Sequence, residues 1–437
     1  MPQAFLTLPT ALRNIEDAGA AGGLFEVQLQ TGPLKGHGMQ AAVHGFSSSR
    51  LAAAMVAAAL VASLAGCTSV PDPPDQQSPT AQSPTATATA TASAPAQPAF
   101  VAVLEKYSER MRAGGATAVI IQMKSRVGEW SSAEGVRNLD TNEPVQLTDQ
   151  THVGDITMSM VAVSVLKLVE EGKIRLDDPI QDHLPDFESI IRPPGPITIR
   201  SLLSHRSGMP DYWGSPIDIG KGPFTHAERV SFVAGMPWTG GSGSLYSYSA
   251  TNYAALALLV EKLRGKDIGA VIHDDSVEPL ALQDTLMTGD EPGPRRMVHG
   301  YTRTEGGDLE DNALVPFHRG SPDTGMISTV PELNTYFAAL QKGTLLTKQT
   351  LEEMHHPKYE QFGLGLVRRY DACSNNAYVG NIGVVRGYAA LALISADGSR
   401  QVAMAVARAP KPDLIGFDDP QSIEMAEAAV DALNLAC

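Results

Sequence analysis

Thr151-His-Val-Gly-Asp-Ile-Thr-Met-Ser-Met-Val-Ala-Val-Ser-Val-Leu-Lys-Leu-Val-Glu-Glu-Gly172 reads as a tight turn running into a buried helix, with Asp155 at its N-cap. From 156 to 169 the apolar residues fall on all sides of the helix instead of forming one stripe, which marks a helix surrounded by protein. Gly172 is placed to end it at C′. The helix is therefore a core element, and Asp155 and Met158 stand in its first turn.

Working outward, Phe100, Val103, Leu104, Tyr107 and Met111 recur at helical spacing before Gly114-Gly115. The run Ala118-Val-Ile-Ile-Gln-Met123 predicts a buried strand, and a second strand is expected around 130 to 136. Near the other end, 389 to 394 and 401 to 407 flank Asp397-Gly398, a hairpin signal. The last helix is expected over 422 to 435 with an apolar stripe of Ile423, Ala426, Val430 and Leu433. Between the ends, a largely helical lobe is expected from about 177 to 326, with strong helices at 253 to 263 and, beyond the lobe, at 332 to 340. No internal repeat is visible.

The chain has 437 residues, 43% hydrophobic and 19% charged, ordinary for a soluble globular protein. Its net charge of -15 argues against nucleic acid and anionic membrane surfaces as partners. Residues 1–66 comprise an upstream segment and a candidate export signal. Arg50, the apolar run from Leu51 and Leu64-Ala-Gly-Cys67 give the order of a bacterial lipoprotein signal, in which Cys67 becomes the lipidated N-terminus. An ordinary secretory signal and a chance apolar segment are the alternatives. The apolar run falls short of the ~20 residues of a membrane span. Because 1 to 38 lack a secretory n-region, Met39 is an alternative start to Met1. Residues 67–98 continue in Pro, Thr, Ser, Ala and Gln, with too little bulk to bury, and are expected to be a disordered tether. Residues 99–437 are expected to form the folded domain.

Several segments resemble, in order and spacing, the serine β-lactamases and D-alanyl-D-alanine carboxypeptidases, above all the secreted serine carboxypeptidases. They are Leu168-Val-Glu-Glu-Gly-Lys-Ile-Arg-Leu-Asp-Asp-Pro179, Ile197-Thr-Ile-Arg-Ser-Leu-Leu-Ser-His-Arg-Ser-Gly208, Tyr246-Ser-Tyr-Ser-Ala-Thr-Asn-Tyr253, Phe362-Gly-Leu-Gly-Leu366 and Gly383-Val-Val-Arg-Gly-Tyr388. The resemblance implies an α+β fold, an antiparallel sheet flanked by helices plus a mostly helical lobe, and no cofactor. It also implies a disulfide between Cys373 and Cys437, which export would favour.

Acyl transfer in that family needs a Ser at the helix N-terminus, a Lys three residues on, a Tyr-x-Asn segment, and a His-Thr-Gly or Lys-Thr-Gly strand. At those positions this chain has Asp155, Met158, Tyr248, Ala250 and Asn381-Ile382-Gly383. Val384 and Val367 replace a further Thr and Arg, and the adjacent Arg368 and Arg369 are candidates to substitute for that Arg. A carboxylate at 155 can be a nucleophile elsewhere, but a helix N-terminus stabilises the anion and lowers its reactivity. The simpler expectation is that Asp155 caps the helix, worth ~1 kcal/mol, that Met158 fills the core and that Tyr248 packs. A second Ser-x-x-Lys, Ser164-Val-Leu-Lys167, is a decoy: nine residues at about 100° each turn Ser164 roughly opposite Asp155, about 13 Å along the helix. Ser207 is a weaker candidate nucleophile. His355-His356 lack metal-ligand spacing and suit a polar loop.

Two functions fit these residues. One is a lipid-anchored, catalytically inactive binding module on the outer face of the cell membrane, with a cell-envelope ligand or protein, peptidoglycan-related material included, as its partner. The other is a serine hydrolase of carboxypeptidase, esterase or β-lactamase type with an unrecognised nucleophile. Loss of mutually dependent groups together favours the first, since removing the Ser leaves nothing for the Lys, Asn and triplet to do.

Overall fold

The computed structural model describes residues 97–217, 222–243, 245–290, 293–304, 306–356, 361–408 and 420–437. Cys67, the signal and nearly all of the tether lie outside them. Among the described residues no helix is long and apolar enough to cross a membrane.

Strands β1 (Ala118–Ser125), β2 (Gly128–Gly135), β3 (Val367–Asp371), β4 (Asn376–Val385), β5 (Tyr388–Ser395) and β6 (Gln401–Ala407) form one antiparallel sheet in the order β2-β1-β6-β5-β4-β3. The central strands β5 and β6 are buried on both faces and read as continuous runs such as Tyr388-Ala-Ala-Leu-Ala-Leu-Ile. That pattern follows from cover on both sides. One face carries helices α1 (Ala99–Ala113) and Pro420–Leu435, the other the helix Ile156–Glu170.

The Ile156–Glu170 helix is the hub. Ile156 to Leu166 are all buried, and Gly172, at φ +69°, closes the helix as its C′ residue. The C-terminal helix is rotated from the expected stripe. Of that stripe Ala426 and Leu433 are buried, but Ile423 is 47% exposed and Val430 only half-buried, and Met425, Ala428, Ala429 and Ala432 complete the packed face. Small alanines allow close approach to α1 and the sheet, and the stripe counted Ile423 and Val430 where Met425 and the alanines pack. The lobe is also less helical than expected: it includes the hairpin Tyr301–Arg303/Leu309–Asp311 and the strand Leu286–Met287, which joins Met326–Ser328 and Thr151–His152 in a three-stranded sheet.

Cys373 and Cys437 are disulfide-bonded, with Cα atoms 5.8 Å apart, tying the chain end to the β3–β4 turn. Beneath the bond, Arg400 donates to both oxygens of buried Asp371, to the Tyr378 hydroxyl at 2.7 Å and to the Leu433 carbonyl. One guanidinium thus joins two hairpins and the end of the last helix.

Candidate functional site

β3 pairs with β4 only as far as Gly380, so the far half of β4 turns its free backbone groups toward the start of the Ile156–Glu170 helix. The approach is very close. A Cβ on Gly383 would lie 1.9 Å from the Val153 carbonyl oxygen and 2.7 Å from the Asp155 nitrogen. Gly154, at φ +53°, faces the Val384 nitrogen across an equally tight gap, 2.7 Å from where its own Cβ would stand. Only glycine fits at either position, which explains why the triplet's third residue remains although its first two are changed.

Asp155 does not cap its helix. Its backbone is already helical, and its side chain makes no capping bond. The carboxyl instead reaches across the gap: Oδ2 accepts the Val384 N–H at 3.1 Å, and Oδ1 accepts the Tyr248 hydroxyl at 2.5 Å. The residue's own amide also stabilises the carboxylate. Two backbone N–H groups therefore converge on a charge supplied by the protein, where acyl transfer from residue 155 would place the oxyanion of its intermediate.

The helix end does not make this an ordinary anion. Asp155 is 4% exposed. Burial pushes its pKa up to about 7, against the opposing hydrogen bonds from Tyr248, Val384 and its own amide, with nearby Asp323 raising it further. Desolvation of a carboxylate outweighs a helix N-terminus that contributes only about 0.3–1 kcal/mol. Burial and the same carboxylates hold the Tyr248 phenol well above its usual range.

The other family positions have become structure. Met158 is fully buried in the core. Asn381 is buried, and its Nδ2 donates to the Asp155 carbonyl at 3.1 Å and the Gly365 carbonyl at 3.3 Å, while its Oδ1 accepts the Ile382 N–H. Where the resemblance calls for a cation, an amide staples β4 to the helix start and to the Gly-Leu-Gly-Leu loop. Ala250 offers only its backbone N–H, to Asp211 Oδ1 at 3.1 Å. Val367 is buried in the core beside β4. Arg368 donates to the His355 carbonyl and Arg369 to the Arg368 carbonyl. Neither contact carries a charge to Asp155.

Ser207 is buried, donating to Asn252 Oδ1 at 2.6 Å and accepting the Met209 N–H, so its hydroxyl holds a turn. Ser164 is buried in the core, and Lys167 bonds the Asp275 carbonyl at 2.8 Å, away from Asp155.

Three side chains that support the site were not found from sequence. His205 Nδ1 accepts the Ser249 N–H at 3.2 Å while its carbonyl accepts the Ser247 N–H, which fixes the segment carrying Tyr248. Burial lowers the His205 pKa to about 3, so it is neutral, and Nδ1 as acceptor places the proton on Nε2. Asp211 is pushed up to about 7 by burial and by Asp323. Asp323 accepts Tyr212, Trp213 Nε1 and Ser321, and Tyr212 in turn accepts fully buried Arg229 at 3.0 Å. Asp323 lies more than a hundred positions along the chain from Asp211 and Tyr212, and no local pattern signals the cluster.

The Beta-lactamase family profile matches residues 99–419. Esterase EstB of Burkholderia gladioli is 26% identical over 238 residues, covering 51% of this chain and 55% of that protein. Penicillin-binding protein 4 of Amycolatopsis lactamdurans is 29% identical over 182 residues, covering 41% and 46%. The chain thus spans about half the length of the curated relatives it matches. Among solved structures, a D-stereospecific amidohydrolase from Streptomyces sp. superposes with a TM-score of 0.62 at 27% identity, covering 74% of this chain and 97% of that one. The D-amino acid amidase of Ochrobactrum anthropi, complexed with D-phenylalanine, gives a TM-score of 0.67 at 20% identity, covering 77% and 99%. That likeness is one of fold.

Proposed function

Because the chain belongs to the beta-lactamase family yet holds a carboxyl where the family's acyl transfer needs a hydroxyl, we propose that it is a catalytically inactive member that acts as a binding module in the cell envelope. The observation that carries this reading is the seating of the Asp155 carboxyl on the Val384 N–H and the Tyr248 hydroxyl. An acylating substrate would need the Val384 N–H for its own oxyanion, and that donor is already taken. A carboxylate in the same place also repels the negative charge that develops in the transition state, so the electrostatic term that usually dominates this chemistry has the wrong sign.

General-base hydrolysis by Asp155 is the competing chemistry, since a carboxyl titrating near 7 suits proton abstraction. Against it, each oxygen already accepts a strong donor, and Asn381, Met158 and Ala250 supply neither a cation nor a relay. The expected result is no turnover above a heat-denatured control for nitrocefin, a D-alanyl-D-alanine peptide, a p-nitrophenyl ester or a D-amino acid amide. Turnover by the wild type that disappears in Asp155→Asn would make the protein an enzyme and overturn the proposal.

The envelope location rests on the signal ending at Cys67, and lipid on that residue would anchor the domain to the outer face of the membrane through the 67–98 tether. Cys67→Ala is expected to abolish lipid processing and release the protein from the detergent phase. Unchanged partitioning would refute the anchor.

A further inference from the structure

Away from Asp155, on the part of the lobe that packs against the Ile156–Glu170 helix, the chain forms a π-helical turn, His273–Val277, directly after the short helix Ile268–Ile272. The Glu278 N–H bonds back to the His273 carbonyl, so residues i, i+1 and i+5 share one side of the turn. A π-turn in place of an α-turn is uncommon and recurs at functional sites. Here Lys167 pins it, through the Asp275 carbonyl at 2.8 Å and the Asp275 carboxylate at 3.5 Å. The lysine of the decoy Ser-x-x-Lys thus anchors this turn to the core helix.

From this geometry we infer that His273, Asp274 and Glu278 form a binding site for a divalent transition-metal ion of the zinc type. Each offers one donor atom, and the three donors lie within 4.8 Å of one another. With metal–nitrogen and metal–oxygen bonds of about 2.1 Å, a tetrahedral site needs donors about 3.4 Å apart. All three side chains are exposed and can close that difference by rotation on a fixed backbone. One imidazole with two carboxylates suits zinc, cobalt or nickel better than calcium or magnesium, which prefer all-oxygen sites. His273 and Asp274, with Asp267 and Asp290, also line a cavity of about 510 Å³, so two of the three donors stand beside a space that admits water or a small ligand.

The charge arrangement already provides a cation. Lys266 Nζ lies 2.6 Å from Asp274 Oδ2, while Asp274 Oδ1 faces His273 Nδ1 at 3.7 Å. The lysine is a competitor that the ion must displace from an exposed pair, a contact of small energy. Removing it should therefore strengthen metal binding, whereas a chance cluster of surface acids predicts no dependence on His273.

The test uses the full chain without a histidine tag, titrated with Co²⁺ by absorption spectroscopy and with Zn²⁺ by calorimetry. The inference is independent of whether the protein is catalytic. One equivalent of either ion is expected to bind, with the Co²⁺ spectrum showing nitrogen and oxygen ligation. His273→Ala and Glu278→Gln should each weaken binding at least tenfold, and Lys266→Met should tighten it. Circular dichroism of these surface variants checks that they fold. The absence of a saturable single equivalent, a component that survives His273→Ala, or weaker binding by Lys266→Met would each overturn the assignment.

Discussion

Asp155→Asn is expected to stabilise the protein at pH 8 and to change little at pH 3. The wild-type carboxyl titrates near 3.8 in the unfolded chain and near 7 in the folded one. Below the lower value both states are protonated, and the buried acid costs nothing in ionisation. As pH rises toward 7 the unfolded chain releases its proton first, so wild-type stability falls by about 1.4 kcal/mol per pH unit across the interval. Over roughly three units the ceiling is about 4 kcal/mol. Asparagine keeps an oxygen for the Val384 N–H and presents an amide to the Tyr248 oxygen, without an ionisation to lose. Urea denaturation of both proteins from pH 3 to 8 provides the measurement. Asp211, also raised to about 7, titrates in both proteins and cancels in the difference. A pH-independent difference would mean that Asp155 is an ordinary ionised carboxylate.

The largest loss expected from a single substitution lies elsewhere. Arg400→Met leaves the fully buried Asp371 carboxylate without its guanidinium and removes the bonds to Tyr378 and the Leu433 carbonyl. Breaking a buried pair from one side costs about 3–5 kcal/mol. Adding Asp371→Asn should recover part of that cost, because the uncompensated charge then disappears. Equal stability of the single and double variants by chemical denaturation would show that Arg400 acts through packing alone.

The fold could be read from sequence where residues pattern locally. The all-round apolar helix after Asp155, the continuous runs of β1, β5 and β6, and the Asp397-Gly398 turn each state their structure within a dozen residues. The last helix was legible only in part, with Ala426 and Leu433 placed inward, because alanines fill most of its packed face and hydrophobic periodicity weights them too lightly. At the site, identities were legible but roles were not. Asp before an apolar helix suggests a cap. Whether its side chain turns to its own helix or across to β4 depends on the backbone approach at Gly154 and Gly383, a tertiary fact. Asn381 looked like a degraded cation position, and only its two backbone acceptors reveal it as a staple. His205 and Asp211, from one loop, meet Asp323 from a distant one and act through burial, which sequence spacing does not encode.

The most direct test of catalytic silence is intact-mass spectrometry after prolonged incubation with a labelled penicillin. Wild type and Asp155→Ser should remain at their unmodified masses. Asp155→Ser combined with Met158→Lys should gain little adduct, because Ala250, Asn381 and Val367 still leave a substrate carboxylate unsupported and groups that act as a unit are not restored one at a time. A stoichiometric penicilloyl adduct on the wild-type protein would contradict the claim, and the modified residue would identify the nucleophile.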